Sequence, residues 1–372
     1  MMNRRKITSY IIFFLINIFM LTPVHAISPD VVRAVQSKAA LAMEKLRQNM
    51  EAGKDVSRII PMMKQVKVLG DQGKLDQANR LLDRILHEFK AVGLPAISHK
   101  PPLFINPRKV NIKGYKQSVM EAFITRDGKY LFFNNDTNDT PKTDKDIYYA
   151  VRIDDVNFKY MGEIKGINSA AVDGVPTMDK NGNFYFISMV NYTKHNSFAT
   201  VYSGKFKDGH VRNIRPHPEV SLNLPGWINM DIEISADGNT LYSTQTYFGD
   251  GPPPKQSYFF VAHLKSGKFE IDSRSNEIFH NINTSDLEYG ASVSADGREL
   301  YFTRLSFANG GKFTSFYATR PDRAAAFSVP SPISAITGIA EAPAITSDGK
   351  LLYFHKKDHG RFFLYVLERA KN

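Results

Sequence analysis

The sequence predicts a mainly β fold, a five-bladed β-propeller of four-stranded blades with a small N-terminal α-helical segment. The prediction rests on five copies of one pattern, in which an Asp-Gly or Asn-Gly pair joins two β-rich runs and the second run is heavy in aromatics. The turn glycines of the copies are Gly128, Gly182, Gly238, Gly297 and Gly349. A repeat of 52 to 59 residues indicates one supersecondary unit with room for four strands.

The Asp-Gly pairs are predicted to be tight hairpin turns, because glycine supplies the positive φ that such turns require. Hydroxyl side chains close to the turns are expected to hold them by hydrogen bonds: Thr125, Ser235, Ser294 and Ser347. The turn aspartates are therefore interpreted as structural. In the second copy Asn181 replaces the aspartate and no hydroxyl residue stands two positions earlier, so we expect that copy to turn differently.

The fifth copy has only three strand-like runs, at 341–346, 350–356 and 361–368. A closed propeller leaves no exposed sheet edge. We therefore expect a segment between about residues 103 and 112 to supply the missing outer strand and join the two ends of the domain. The fourth copy is predicted to hold strands at 290–294, 298–305, 313–319 and 324–329.

Residues 1–26 are predicted to be a signal peptide. A basic start at Arg4, Arg5 and Lys6 precedes an apolar run over 11–21 and small residues at Val24 and Ala26. The run is shorter than the roughly 20 residues of a membrane span, and no Cys is present for a lipid anchor, a disulfide or a thiolate metal site. We expect a periplasmic or secreted protein with no transmembrane anchor after signal cleavage.

Residues 27–93 are predicted to be a helical hairpin region. Apolar residues recur at helical spacing in three segments, and the last two resemble a hairpin of tetratricopeptide type. One hairpin cannot bury both its faces, so packing on the propeller and docking to a partner are the alternatives. Residues 94–117 are predicted to be a proline-rich linker with the closing strand, and residues 118–372 the propeller.

The repeat pattern Ser-Ala-Asp-Gly-x-x-Leu-Tyr, with an acidic residue six to eight positions before the Asp, resembles the propeller repeat of TolB-type periplasmic proteins. The lead-ins that begin at Ile167 and Ile282, and the run Asp146-Ile-Tyr-Tyr, are similar to the variant found beside OmpA-like domains in envelope proteins. The resemblance covers roughly residues 118–368. It implies the fold, and it does not imply an activity, because propellers host unrelated functions.

Net charge and motifs limit the classes of ligand. The formal net charge of +11 favours anionic surfaces, so the expected partner is an envelope protein or an anionic glycan, with no nucleic acid. No cofactor and no metal are expected, because the histidines lack metal-ligand spacing and no phosphate-binding glycine pattern occurs. The sequence does not predict an oligomeric state.

Five acidic residues that precede the first strands are the main candidates for chemistry: Glu121, Asp173, Asp231, Glu288 and Glu341. The first strand of a blade lines the central channel, so these carboxylates are expected to converge at its mouth. They are interpreted either as acid and base for glycoside cleavage, as in five-bladed arabinanase-like glycosidases, or as cation ligands. The alternative is that each acid has the same structural role and accepts hydrogen bonds from backbone N–H groups. The occurrence of one acid in every repeat favours this structural interpretation.

Trp227, Asp173 and Tyr289 are the candidate binding residues. Trp227, the only tryptophan, precedes a first strand and is expected either to stack on a sugar or to pack between blades. Together these observations favour a non-catalytic protein- or glycan-binding module and lean against an enzyme. The alternatives are a glycoside hydrolase-like enzyme that uses Glu121, Asp231, Glu288 or Glu341, and a cation-dependent lactonase-like hydrolase.

Overall fold

The structure is a computed structural model that describes residues 29–51, 56, 59–91, 102–137, 144–193, 197–249, 251–307 and 311–371. The predicted signal peptide lies outside the described residues. The chain divides into two compact units, residues 1–100 and 101–372.

The first unit is helical. Its helices are α1 (Pro29–Glu51), α2 (Ile59–Asp71) and α3 (Leu75–Ala91). Both α1 and α2 pack on α3, and a shared apolar core includes Ala42, Leu82 and Ile85, none of them exposed. Helix α1 thus covers apolar surface that the α2–α3 hairpin alone would leave open. None of the helices in the described ranges is long and apolar enough to cross a membrane.

The second unit is mainly β. Its described strands form four sheets, which we divide into five antiparallel meanders because the nine-stranded sheet contains two, joined by the single parallel pair of Ser257 and Leu287. The first two strands, β1 (Phe104–Lys109) and β2 (Asn111–Lys113), precede them. Meander 1 contains β3 (Met120–Ile124), β4 (Tyr130–Asn134), β5 (Ile147–Arg152) and β6 (Asn157–Glu163). Meander 2 contains β7 (Asp173–Met178), β8 (Asn183–Ser188), β9 (Val201–Lys207) and β10 (His210–Pro216). Meander 3 contains β11 (Trp227–Ile228), β12 (Ile232–Ile234), β13 (Thr240–Tyr247), β14 (Gln256–Lys265) and β15 (Lys268–Ile271).

After a short helix α4 (Ser275–Ile278), meander 4 contains β16 (Leu287–Val293), β17 (Glu299–Ser306), β18 (Lys312–Thr319) and β19 (Ser331–Pro332). Meander 5 contains β20 (Ala340–Ile345), β21 (Leu351–Asp358) and β22 (Arg361–Arg369). The fourth strand of meander 4 was predicted at 324–329 and instead begins at Ser331. The segment before it turns on Asp322, whose carboxylate accepts the N–H groups of Ala324 and Ala325 at 2.8 and 2.9 Å.

The segment before meander 1 connects the outer edges of the last and first meanders. Strand β1 pairs antiparallel with β22, and β2 pairs parallel with β6. Between them the N–H of Val110 donates to Leu364 O at 2.9 Å, and the N–H of Asn111 donates to Val156 O at 2.7 Å. The segment occupies the place at which the sequence predicts a closing strand.

The first strands of the meanders form a closed ring. Strand β3 contacts β7, β7 contacts β12, β12 contacts β16, β16 contacts β20, and β20 contacts β3. Each first strand runs toward its Asp-Gly or Asn-Gly turn, so all five begin at the same end of the ring. We call this end the mouth. Aromatic residues fill the space between meanders, as in the contact of Phe132 with Phe184 at 5.2 Å between ring centroids.

The turns carry the predicted chemistry, with one change. The five turn glycines have φ between 70° and 79°. In meander 1 the Thr125 hydroxyl donates to Asp127 Oδ1 at 2.6 Å and accepts the Tyr130 N–H at 2.9 Å. In meander 5 the hydroxyl in this position is Thr346 and not Ser347, because it must stand two residues before the aspartate to reach it.

The second meander turns differently, as its sequence predicts. Asp179 takes the place of the hydroxyl residue, and its carboxylate accepts the N–H groups of Asn181 and Asn183 at 2.8 and 2.9 Å. The side-chain amide of Asn183 also donates to Asp179 Oδ2 at 2.7 Å, so the carboxylate accepts all three bonds of this turn.

Candidate active site

The five acidic residues of the first strands are not equivalent. Glu121 and Asp231 stand six positions before the turn Asp, Glu341 seven, and Asp173 and Glu288 eight before the turn Asn or Asp. The pairing of the first strand with the second is irregular at this point in four of the meanders. Such irregular pairing shifts a side chain relative to its neighbours, so the spacing to the turn does not by itself determine which acids share surroundings.

Asp173 and Glu288 have the structural role. Asp173 Oδ2 accepts the N–H and hydroxyl of Ser169 at 2.6 and 2.7 Å. Glu288 accepts the N–H and hydroxyl of Thr284 at 3.1 and 2.6 Å, and Arg304 Nε lies 2.6 Å from Glu288 Oε1. Both acids are fully buried. Burial raises the pKa of each carboxyl, and these donors oppose the rise. Asp173 and Glu288 therefore have the structural role that the sequence predicts for the repeated acids.

Glu121, Asp231 and Glu341 form a separate carboxylate cluster at the mouth. Burial raises the pKa of Asp231 to about 7, and the negative charges of Glu121 and Glu341 add to the rise. Burial also raises the pKa of Glu341, to which the charge of Glu121 contributes. Burial together with neighbouring negative charge thus raises the pKa of two carboxyls in one place, an arrangement found at acid–base sites.

Charged and polar neighbours distinguish the three acids. Lys145 Nζ lies 2.6 Å from Glu121 Oε1, and the Tyr289 hydroxyl donates to Glu341 Oε2. The side chains of Glu121 and Glu341 are 19% and 15% exposed, whereas Asp231 is 5% exposed. Solvent therefore reaches Glu121 and Glu341, and Asp231 lies beneath the surface.

The cluster also contains polar atoms without a partner. Glu121 Oε2, Asp231 Oδ2 and the Nε2 of His355 are buried and make no hydrogen bond to any described residue. His355 Nδ1 accepts the N–H of Glu121 at 3.1 Å. Buried polar groups are nearly always hydrogen-bonded, so three unpartnered ones in one place call for an explanation, and a catalytic or binding role is one.

A buried ion pair lies inside the ring, toward the end opposite the mouth. Arg126 donates to Glu233 Oε1 at 2.8 Å and to Ile234 O at 2.6 Å, and the Thr177 hydroxyl donates to Glu233 Oε2 at 2.7 Å. Arg126 and Glu233 are 6% and 3% exposed. These contacts join meanders 1, 2 and 3 below the cluster, and the more exposed carboxylates lie on the mouth side.

The three predicted binding residues lie in different surroundings. Trp227 is half-buried, with its ring 5.1 Å from that of Tyr247 and 5.8 Å from that of Tyr258. It lies in β11, four residues before Asp231 and on the mouth side of it. Tyr289 belongs to the cluster through Glu341, and Asp173 is buried against Ser169.

Sequence reasoning missed Lys145 and His355. Lys145 follows a long connection between β4 and β5, and His355 lies at the mouth end of β21. Neither has a motif around it. The folding of meander 1 brings Lys145 to Glu121, and the contact between meanders 5 and 1 brings His355 there. Across the described ranges, no group of three or more His, Asp or Glu side chains is arranged to hold a metal ion.

A second hydrogen-bonded series resembles a nucleophile and its base. Ser203 Oγ lies 2.7 Å from His217 Nε2, and His217 Nδ1 lies 2.9 Å from Glu219 Oε1. Ser203 and His217 are 5% and 2% exposed, and Phe269 covers the imidazole with ring centroids 5.5 Å apart. A nucleophile must meet its substrate, so this buried series is structural.

The comparisons with known proteins support the fold. No protein-family profile and no curated protein matches the chain. Among solved structures, a glycoside hydrolase aligns at a TM-score of 0.51 and 9% identity over 74% of this chain and 94% of that one. A family 117 glycoside hydrolase from the marine bacterium Zobellia galactanivorans aligns at 0.48 and 14% over 72% and 90%. A protein described as a putative TolB from Agrobacterium tumefaciens aligns at 0.38 and 16% over 65% and 71%.

These findings correct the prediction that leaned against an enzyme. A solved structure that aligns at a TM-score of 0.51 is a glycoside hydrolase, so this fold is one that enzymes also have, and it does not argue against an enzyme. The prediction rested on the equivalence of five acids, whereas two of them are bonded into the structure and three form the cluster at the mouth. At 9% identity the likeness itself shows the fold alone. The chain has a mainly β fold, similar to that of propeller proteins.

Proposed function

We propose that this chain is a five-bladed β-propeller enzyme that cleaves glycosidic bonds with the carboxylates at the mouth of its ring. The observation that carries the proposal is the division of the acids. Asp173 and Glu288 are fully buried and bonded to Ser169, Thr284 and Arg304. The other three, Glu121, Asp231 and Glu341, share one partly open site, in which burial raises the pKa of Asp231 and Glu341. Glycoside cleavage uses two carboxyl groups with different protonation states.

Glu341 is the proposed general acid. Its pKa is raised, so it keeps a proton at higher pH than an ordinary glutamic acid. The Tyr289 hydroxyl occupies Oε2, which leaves Oε1 to carry that proton. In the reaction the proton passes from Glu341 to the glycosidic oxygen as the bond between that oxygen and the anomeric carbon breaks, and the leaving sugar departs as an alcohol.

Glu121 is the proposed partner on the opposite face of the sugar. The ammonium group of Lys145 at 2.6 Å pairs with its carboxylate. Glu121 either takes a proton from the attacking water or attacks the anomeric carbon itself, and the net reaction in both cases adds one water across the bond. Asp231, 5% exposed, acts through the field it exerts on the other two and does not touch the sugar.

Trp227 is proposed to bind a more distant sugar of the substrate. It lies four residues before Asp231 along the edge of β13, where Trp227 pairs with Tyr247. At about 3.3 Å per residue this places it about 13 Å from the acids. The basic composition further supports an anionic glycan as the substrate, and the signal-like first 26 residues support export to the periplasm or medium.

The test compares variants on a panel of aryl glycosides and plant, algal and bacterial glycans. Glu341→Gln and Glu121→Gln are expected to lose about 10²–10⁴-fold in kcat while remaining folded. Glu270→Gln is the matched control, because Glu270 is an exposed acid paired with Lys265 at 2.7 Å. Loss of the proposed activity in the control, or full activity in Glu341→Gln, would refute the assignment.

A further inference from the structure

His355 occupies a position that recurs in every meander, six residues after the turn glycine. The residues at this position are Asn134, Ser188, Thr244, Thr303 and His355. In three meanders the side chain accepts an N–H from the first strand of the next meander. Asn134 accepts that of Val175 at 3.0 Å, Thr303 that of Ala342 at 2.9 Å, and His355 that of Glu121 at 3.1 Å.

The recurring bond has a structural reason. The three donors share a positive φ: 52° at Val175, 50° at Ala342 and 50° at Glu121. Residues other than glycine adopt this backbone conformation at a cost in free energy. A hydrogen bond to each N–H helps to hold the strained residue. A short amide or hydroxyl is sufficient in the other two meanders, so this task does not explain a histidine at position 355.

The histidine differs in having a second ring nitrogen. Because Nδ1 accepts the Glu121 N–H, the proton of the neutral ring lies on Nε2. Burial lowers the pKa of His355 to about 3, and the charge of Lys145 adds to the fall, so the ring is neutral at ordinary pH. Nε2–H is therefore a buried donor of fixed position that no described residue accepts.

The group opposite this donor is Glu341. His355 Nε2 lies 3.9 Å from Glu341 Oε1, the oxygen that the Tyr289 hydroxyl leaves free. The two residues are directly paired across β20 and β21. This separation is just beyond hydrogen-bonding distance, and such contacts in catalytic sites shorten when the reacting complex forms.

We propose that His355 is a positioning residue, which holds Glu121 through its backbone and donates from Nε2 to Glu341 Oε1 as that carboxyl loses its proton. The inference rests on the proposed function for its catalytic meaning, since Glu341 is the general acid there. In chemical terms the imidazole stabilises the carboxylate left after proton transfer and fixes which oxygen acts. No proton leaves the histidine in this step.

The test distinguishes the role of the Nε2 donor from that of the Nδ1 acceptor. His355→Asn keeps an acceptor for the Glu121 N–H, as Asn134 does in meander 1, and removes the Nε2 donor. The carboxyl groups of ¹³C-labelled glutamates are titrated by NMR, with the Glu341 signal assigned by its loss in Glu341→Gln. We expect the midpoint of Glu341 to move upward by roughly one pH unit in His355→Asn, because a donor to the charged form is lost.

Two results would overturn the inference. One is an unchanged Glu341 midpoint in a folded His355→Asn protein, since a purely structural histidine predicts no shift. The other is a ¹⁵N imidazole spectrum of the unmodified protein in which Nε2 is the unprotonated nitrogen. If His355→Asn does not fold, His355→Thr, which copies Thr303 of meander 4, carries the same titration.

These measurements do not depend on catalysis. If the unmodified protein cleaves none of the panel glycans, the proposed function fails while the titration still decides the contact between His355 and Glu341. If the protein is active and the midpoint moves, His355→Asn is expected to lower kcat about 10-fold or more with little change in KM, since only the proton-transfer step loses a contact.

Discussion

Asp231 carries a large electrostatic cost within the cluster. Its surroundings raise its pKa from 3.8 to about 7, so the folded protein binds a proton that the unfolded chain releases at lower pH. Lys145 offsets part of the repulsion among the three carboxylates. A strained backbone at Glu121, with φ of 50°, is a further cost at the same place. Such costs concentrate at functional sites.

The raised pKa predicts how stability depends on pH. Below a pH of about 4, Asp231 is protonated in both the folded and the unfolded state, so it does not change the free energy of unfolding. As pH rises toward about 7, the unfolded chain loses this proton first, and the free energy of unfolding therefore falls. Asp231→Asn removes this dependence, so its stability relative to the unmodified protein should increase over that range. Urea unfolding at several pH values measures the difference. An equal slope in both proteins would contradict the assignment of a raised pKa to Asp231.

The repeated turns show how much of each element is predictable from sequence. The five glycines and the hydroxyl residues of meanders 1, 3 and 4 are local features, and local hydrogen bonds fix them. The hydroxyl in meander 5 was expected at Ser347 and is Thr346, because the spacing to Asp348 decides which one reaches. The fourth strand of meander 4 was misplaced because a turn at Asp322 delays it.

Substitutions at Thr346 and at the adjacent Ser347 test which hydroxyl holds the turn of meander 5. Thr346→Ala removes a hydroxyl that donates to Asp348 at 2.7 Å and accepts the Leu351 N–H at 3.1 Å. We expect it to lower the free energy of unfolding by about 1 kcal/mol. Ser347→Ala, one residue away, should change it by less than about 0.5 kcal/mol. Urea denaturation of both variants measures this, and an equal loss would refute the assignment of the turn hydroxyl.

At the scale of the whole molecule, the ring determines the site. Periodicity predicts the meanders and the segment that joins their ends, because each repeats or completes a local pattern. It does not predict which acids meet, since irregular strand pairing shifts a carboxylate relative to its neighbours. Lys145 and His355 contact Glu121 from positions 24 and 234 residues away in the chain. Nothing in a single sequence indicates that residues so far apart are in contact.

Closure of the ring gives a prediction for truncated chains. A chain of residues 101–372 keeps β1 and β2, whereas a chain of residues 114–372 leaves the outer edges of β22 and β6 without partners. Exposed strand edges associate with other chains. We expect the longer chain to be monodisperse and the shorter one to aggregate or unfold at lower urea concentration. Size-exclusion chromatography decides this, and equal behaviour would show that the two strands do not close the unit.

The central claim is that the carboxylate cluster adds water across a glycosidic bond. The most direct measurement is incubation of the protein with the glycan panel in ¹⁸O-labelled water, followed by mass spectrometry of new reducing ends. The unmodified protein should place one label at the anomeric carbon of a product, and Glu341→Gln should do so at least about 100-fold more slowly. Labelled product from Glu341→Gln at the same rate, or no labelled product from any glycan with the unmodified protein, would contradict the claim.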